Sequence, residues 1–128
     1  LEVPAGKLEK GEYHRECGIR ELKEEIGAEA GYFEYLGCLY PTVAYDTEII
    51  HMYLAKELSF GEQSLDDGEF IDIVKLPFEK AVEMVMNNEI PDAKAQLAVL
   101  KAKLTILILL HTDSLDLRIA PRLMLFYV

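Results

Sequence analysis

The chain has 128 residues, 51% of them apolar, with 13 Lys and Arg against 23 Asp and Glu for a formal net charge of −10. Such a length and apolar fraction suit one domain with a modest core. The acidic balance supplies no basic stripe to neutralise phosphates, which argues against nucleic acid as a partner.

In chain order, the most informative stretch comes first. Gly6 to Ala28 reads GKLEKGEYHRECGIRELKEEIGA. The spacing predicts a helix from about Tyr13 to Ile26, with Gly27 as the left-handed residue after its last turn. Ile19, Leu22 and Ile26 fall on one stripe and anchor the helix to a core. Glu21, Glu24 and Glu25 fall on another, where carboxylates at i, i+3 and i+4 repel each other by a few tenths of a kcal/mol per pair, roughly. A divalent cation removes that repulsion, and oxygen ligands suit Mg²⁺ or Mn²⁺. The alternative is a solvated acidic face with Arg20 and Lys23 as local counterions. His14, at the start of this helix, reads as solvent-exposed.

Glu29 to Leu39 and Thr47 to Lys56 read as strands, the second apolar on both faces as in a strand buried between layers. His51 alternates within it and reads as a packed histidine. A mostly polar loop from Ser59 to Gly68 leads to a third strand, Glu69 to Lys75. Helices are predicted over Phe78 to Met86 and from Asp92, a plausible N-cap, to about Leu104, with Ala95, Leu97 and Leu100 inward. Thr105 to Val128 fits no pattern; an added strand or helix, a cover over bare surface and an untidy terminus all stay open. Its ILILL run is too short to span a bilayer, so no membrane partner is expected. Cys17 and Cys38 make no disulfide framework and read as small hydrophobes. With no secretory or transit signal, the expected location is the cytoplasm.

The Gly6–Ala28 phrase resembles the signature of the Nudix hydrolases, with nine specified residues over 23. Ala28 is the one soft match, where a larger aliphatic residue is commoner. The resemblance implies a loop–helix–loop that holds Mg²⁺ or Mn²⁺ against a diphosphate. Carried over by position, Glu21, Glu24 and Glu25 are metal ligands, and Arg20 is the salt-bridging residue that orients them. Glu12 braces the loop, and Gly6 and Gly27 are structural glycines of the motif.

Other segments resemble the ADP-ribose pyrophosphatase branch. LEVPAG at residues 1–6 is similar to its E-x-P-A-G opening, in which the alanine carbonyl, here of Ala5, is a further metal ligand. YPTVAYDTE at 40–48, EFIDI at 69–73 and NEIPDAK at 88–94 resemble Y-P-S-P-G-Y-S-x-E, E-F-I-E-V and G-x-I-x-D-A-K, so the likeness runs in order over about residues 1–103. Ala44 stands where glycine is usual, and Gly68 where the acidic loop often carries Asp or Glu. Leu1 falls inside an expected strand, so the chain reads as truncated before the small N-terminal sheet that supplies part of the nucleotide pocket.

The fold implied is α/β: a mixed sheet between helices in α/β/α layers, with N-terminal strands missing. The Nudix domain would cover residues 1–104, followed by an extension over 105–128. The activity implied is metal-dependent hydrolysis of ADP-ribose to AMP and ribose 5-phosphate. For the general base the loop before the third strand offers Glu62, Asp66, Asp67 and Glu69, with Glu69 slightly favoured over Glu62. Tyr45 either stacks on adenine or covers core, and Glu48 either touches substrate or braces the helix. Two alternatives remain: hydrolysis of another nucleoside diphosphate sugar, or a catalytically impaired nucleotide-binding module. The partner is then a nucleoside diphosphate sugar, with a homodimer for the full-length family member. A field of −10 repels such a ligand, and bound Mg²⁺ inverts that sign locally.

Overall fold

The computed structural model describes residues 1–66, 68, 70–111 and 124–127; for Leu110 and 124–127 it describes the backbone only. Three layers form around a central antiparallel sheet. Helix α1 (His14–Ile26) is followed by strand β1 (Ala28–Leu39) and strand β2 (Ile50–Phe60). Helices α2 (Phe78–Met86) and α3 (Ala93–His111) come next, and strand β3 (Met124–Tyr127) completes the order. The sheet runs β1-β2-β3 with β2 central. Both described pairings are antiparallel, where the family resemblance implied a mixed sheet.

The alternation of β2 builds both cores. Ile50, Met52 and Leu54 face α2 and α3, in a cluster with Val85, Ile90, Ala95, Ala98, Val99 and Ala102. Tyr53, Ala55 and Leu58 face α1, in a second cluster with Cys17, Leu22 and Ile26. A strand buried on both faces needs apolar residues at successive positions, and 52–55 (MYLA) supply them.

Several expectations change. Ile19 is 41% exposed, and the buried face of α1 turns instead toward Cys17, Gly18, Leu22 and Ile26. The cause is the loop before the helix: the Cys17 thiol donates to the Lys7 carbonyl at 3.3 Å, so that loop covers the helix's other flank. β2 starts at Ile50, not Thr47, because the Asp46 carboxylate accepts the Glu48 N–H at 3.0 Å and holds a turn there. Residues 70–77 carry no regular structure, so the third strand is not formed there. Both edges of β2 are paired, by β1 on one side and by β3 over Met52–Ala55 on the other, so 70–77 does not lie beside β2. The N-terminal strand is likewise absent from residues 1–4, with only an isolated bridge at Ala5. Asp92 does cap α3, its carboxylate accepting the Ala95 N–H at 2.7 Å. That helix continues past Leu104 to His111, and it buries Ala98, Val99 and Ala102 while Leu97 stays exposed. The small alanines on its inner face allow close approach to the sheet.

Candidate active site

The site is assembled on α1 by three other stretches of chain. The loop 7–12 is fastened by Arg20, whose guanidinium forms a two-pronged bond with Glu12: Nε donates to Oε1 and Nη2 to Oε2, each at 2.9 Å. Arg20 Nη2 also donates to the Lys7 carbonyl at 3.2 Å. Its Nη1 meets Glu21 Oε1 at 2.9 Å and Glu24 Oε2 at 2.8 Å. The Arg20 fork and the Glu9 N–H together hold the Glu12 carboxyl down at about 2. In return the three carboxylates, Glu12 foremost, push Arg20 further above its ordinary value. Burial, followed by the nearby Glu12 charge, pushes the Cys17 thiol up to about 12, so this cysteine is an inert core group.

Residues 1–6 lie against the acidic face. The Ala5 N–H donates to Glu25 Oε2 at 3.2 Å. Gly6 passes so close that a Cβ on it would fall 2.0 Å from Glu21 Cγ. The third stretch is 61–64, which closes the C-terminal end of α1. The Gly61 N–H donates to the Gly27 carbonyl at 2.6 Å and the Ser64 N–H to the Glu24 carbonyl at 2.9 Å. Gln63 Nε2 donates to the Glu25 carbonyl at 2.6 Å. These bonds satisfy carbonyls that the end of a helix leaves without partners. Gly27, at φ 63°, terminates the helix in the left-handed region as its position in the sequence predicts.

Thus Ala5, Gly6, Glu12, Arg20, Glu21, Glu24, Glu25 and Gly27 come together. Among the described residues no three His, Cys, Asp or Glu side chains converge on a common point that could hold an ion. Glu21 and Glu24 grip Arg20 instead, and Glu25 accepts from Ala5. Glu21, Glu24 and Glu25 offer carboxylate oxygen, the donor type that a hard divalent cation takes, and in this arrangement they are turned to Arg20 and Ala5 rather than to one point.

The remaining expected residues are dispersed. Glu62 sits beyond Gly27, with Lys23 and Glu29 around a small cavity. Glu69 and Asp67 lie outside the described residues. Tyr45 is 89% exposed in a turn, and Glu48 is exposed near Lys94. Neither borders the large cavity of about 930 Å³ that opens beside Ala5 and Glu25. Residues 1–5 and 70–76 wall that cavity together with Phe60 and Phe78. Sequence reading gave no signal for it, because its walls meet only through the tertiary fold.

A second cluster also went unread. His14 is half-buried rather than free in solvent: its Nδ1 contacts the hydroxyl of buried Tyr53, and its ring stacks on His51 at 3.9 Å with 4° between planes. His51 Nδ1 meets the Tyr35 hydroxyl at 2.9 Å. Burial, then the neighbouring His14, lowers the pKa of His51. Burial pushes the Tyr53 phenol up to about 12. The cluster pins the first turn of α1 to the sheet.

Residues 1–99 match the family model of the NUDIX domain. The chain belongs to the Nudix family. It is 42% identical over 101 residues to the methanol dehydrogenase activator of Bacillus methanolicus, covering 77% of this chain and 55% of that one. It is 39% identical over 101 residues to the ADP-ribose pyrophosphatase of Bacillus subtilis, with the same coverage of 77% and 55%. The GDP-mannose pyrophosphatase of Klebsiella pneumoniae is 34% identical over 99 residues, 74% of this Nudix chain and 49% of its own. The chain therefore spans about half the length of the relatives it matches. Among the described residues no helix is long and apolar enough to cross a membrane.

Proposed function

We propose that this Nudix chain carries the metal-binding half of a pyrophosphohydrolase that cleaves ADP-ribose, with water, into AMP and ribose 5-phosphate. One observation carries the reading: the acidic face of α1 lies directly under the backbone of Ala5 and Gly6, with Glu25 bonded to Ala5 and Glu21 filling the space at Gly6. Ala5 and Glu25, at the edge of that acidic face, also line the large cavity. Glu21, Glu24, Glu25 and the Ala5 carbonyl would hold Mg²⁺ or Mn²⁺. A metal bound there supplies Lewis-acid polarisation of the phosphoryl oxygens and a lowered pKa for bound water.

The protein's own contribution is orientation. Arg20 fixes the rotamers of Glu21 and Glu24, and residues 61–64 fix the backbone of Glu24 and Glu25. Proton abstraction from the attacking water is assigned to the acidic loop after β2, with Glu69 and Glu62 as its candidates. The preference for ADP-ribose draws on the Bacillus subtilis relative; the GDP-mannose relative supports the neighbouring reading, another nucleoside diphosphate sugar. A cytoplasmic location and a homodimer of the full-length family member accord with this function.

The test is product formation from ADP-ribose, GDP-mannose, UDP-glucose, NADH and dGTP, with Mg²⁺, Mn²⁺ or EDTA, alongside Mn²⁺ binding followed by electron paramagnetic resonance. Cleavage strongest on ADP-ribose and abolished by EDTA is the expected result. Preference for another nucleotide would keep the hydrolase and remove the ADP-ribose assignment. Absence of both turnover and Mn²⁺ binding would overturn the metal site. In the same assays Glu25→Gln should abolish hydrolysis and leave the far-UV circular dichroism unchanged; surviving activity would mean that the ligand set is wrong.

A further inference from the structure

We infer that Lys75 and Phe60 form the subsite for the 5′-nucleotide half of the ligand. The inference rests on the proposed placement of the diphosphate beside Ala5 and Glu25. The cavity that opens there has a volume of about 930 Å³, within the size range of pockets that enclose small organic ligands. Its walls are mainly apolar, with four charged residues among the described lining: Glu2, Glu25, Asp72 and Lys75. Three of these repel a phosphate. Lys75 alone attracts one.

Lys75 is held by an aromatic face rather than by a carboxylate. Its ammonium forms no salt bridge among the described residues, although the chain carries ten more acidic than basic side chains. It rests instead over the face of Phe60, 3.6 Å from the ring centroid. A cation on an exposed ring gains less than a charge-assisted bond to an anionic oxygen provides. An incoming phosphate therefore draws Lys75 off the ring, and the freed face of Phe60, 48% exposed, accepts a base by stacking. One short movement thus exposes both recognition elements of a nucleotide, a cation and an aromatic face, within the same cavity lining. Phe70, 95% exposed on the same lining, offers a second ring.

The test measures AMP binding by isothermal titration calorimetry in Mg²⁺. AMP has no diphosphate bond, so the readout does not depend on turnover. Lys75→Ala is expected to weaken AMP about tenfold or more, the size of one charge-assisted contact. Lys75→Arg should recover most of the loss, and Phe60→Leu should weaken AMP and adenosine alike. Lys103→Ala, which removes the partner of Glu79 outside the cavity lining, should leave binding unchanged. Glu25→Gln separates the two readings: loss of hydrolysis with Lys75→Ala still weakening AMP in the Glu25→Gln background supports this subsite whatever becomes of the metal assignment. Equal AMP affinity in wild type and Lys75→Ala overturns the inference, as does a wild-type chain that binds no AMP. So does a concentration-dependent dimer that Phe70→Asp dissolves and AMP does not displace, since the cavity would then be a protein–protein seam.

Discussion

Gly6→Ala isolates the feature on which the site depends. The added Cβ would lie 2.0 Å from Glu21 Cγ and 2.2 Å from Cδ. Non-bonded carbons settle at about 3.5–4.0 Å, so one partner must retreat by roughly 1.5 Å. Glu21 is the softer of the two, because it is a side chain and the opposing atom is fixed to backbone. Its carboxylate then leaves Arg20. A displacement of about 1 Å at a reacting centre can cost on the order of 100-fold, so kcat/KM for the proposed metal-dependent hydrolysis should fall at least that far. Mn²⁺ affinity should fall with it. Stability should change by less than about 1 kcal/mol, since the broken ion pair is partly solvated. Gly11, in the same loop, is the control. At φ 88° it disfavours any side chain, yet a Cβ there meets nothing within 4 Å. Gly11→Ala should therefore cost about 1–2 kcal/mol of stability and leave kcat/KM nearly unchanged. Thermal melts and initial rates on both variants decide the matter. Wild-type kcat/KM and Mn²⁺ affinity in Gly6→Ala would refute the packing argument.

Three further outcomes follow from the same geometry. Gly27→Ala places a side chain at φ 63° and 2.7 Å from the Glu62 backbone, so it should destabilise by more than the ~1–2 kcal/mol of a left-handed alanine alone, measured by urea unfolding. Arg20→Ala should return the Glu12 carboxyl from about 2 towards its ordinary 4.5, read by NMR titration; an unmoved value would mean that Arg20 is not its main partner. The pKa of His51 is lowered in the fold, so the unfolded chain binds the proton more readily. Its contribution is present above the ordinary value of 6.5 and is lost as pH falls through the lower folded value. Unfolding free energy should decline with acid from about pH 6.5, and His51→Phe should flatten that decline; an identical slope in the variant would exclude the histidine stack as its source.

The candidate site was legible to the extent that it is local. Glu12, Arg20, Glu21, Glu24, Glu25 and Gly27 occupy one helix and its approach, and helix periodicity together with a glycine stop fixes their relative positions. Both faces of β2 were legible for the same reason, since MYLA puts large apolar groups on successive residues. Of the strand expected at 69–75, the described residues 70–75 are not paired, because alternation states that a segment can pair, not which neighbour it meets; the second edge of β2 is met by β3 from 124–127. Ile19 failed because periodicity sees only the helix, whereas the hydrogen bond from Cys17 to Lys7 decides which flank is covered. His14 was misplaced by a contact to Tyr53, 39 residues away in sequence.

These non-local contacts explain how a repulsive carboxylate triplet is held in one register. The motif supplies the charges, but a helix alone would let Glu21, Glu24 and Glu25 splay apart into solvent. Arg20 counters the repulsion from within the helix, while Ala5, Gly6 and Gln63 bear on the same carboxylate turn from chain segments up to about 40 residues distant. Removing one clamp should therefore loosen the carboxylates without unfolding α1, whose opposite face remains buried against Tyr53 and Ala55. Core packing and carboxylate placement are anchored on different faces of the same helix, so mutations can separate the stability of the fold from the geometry of the site.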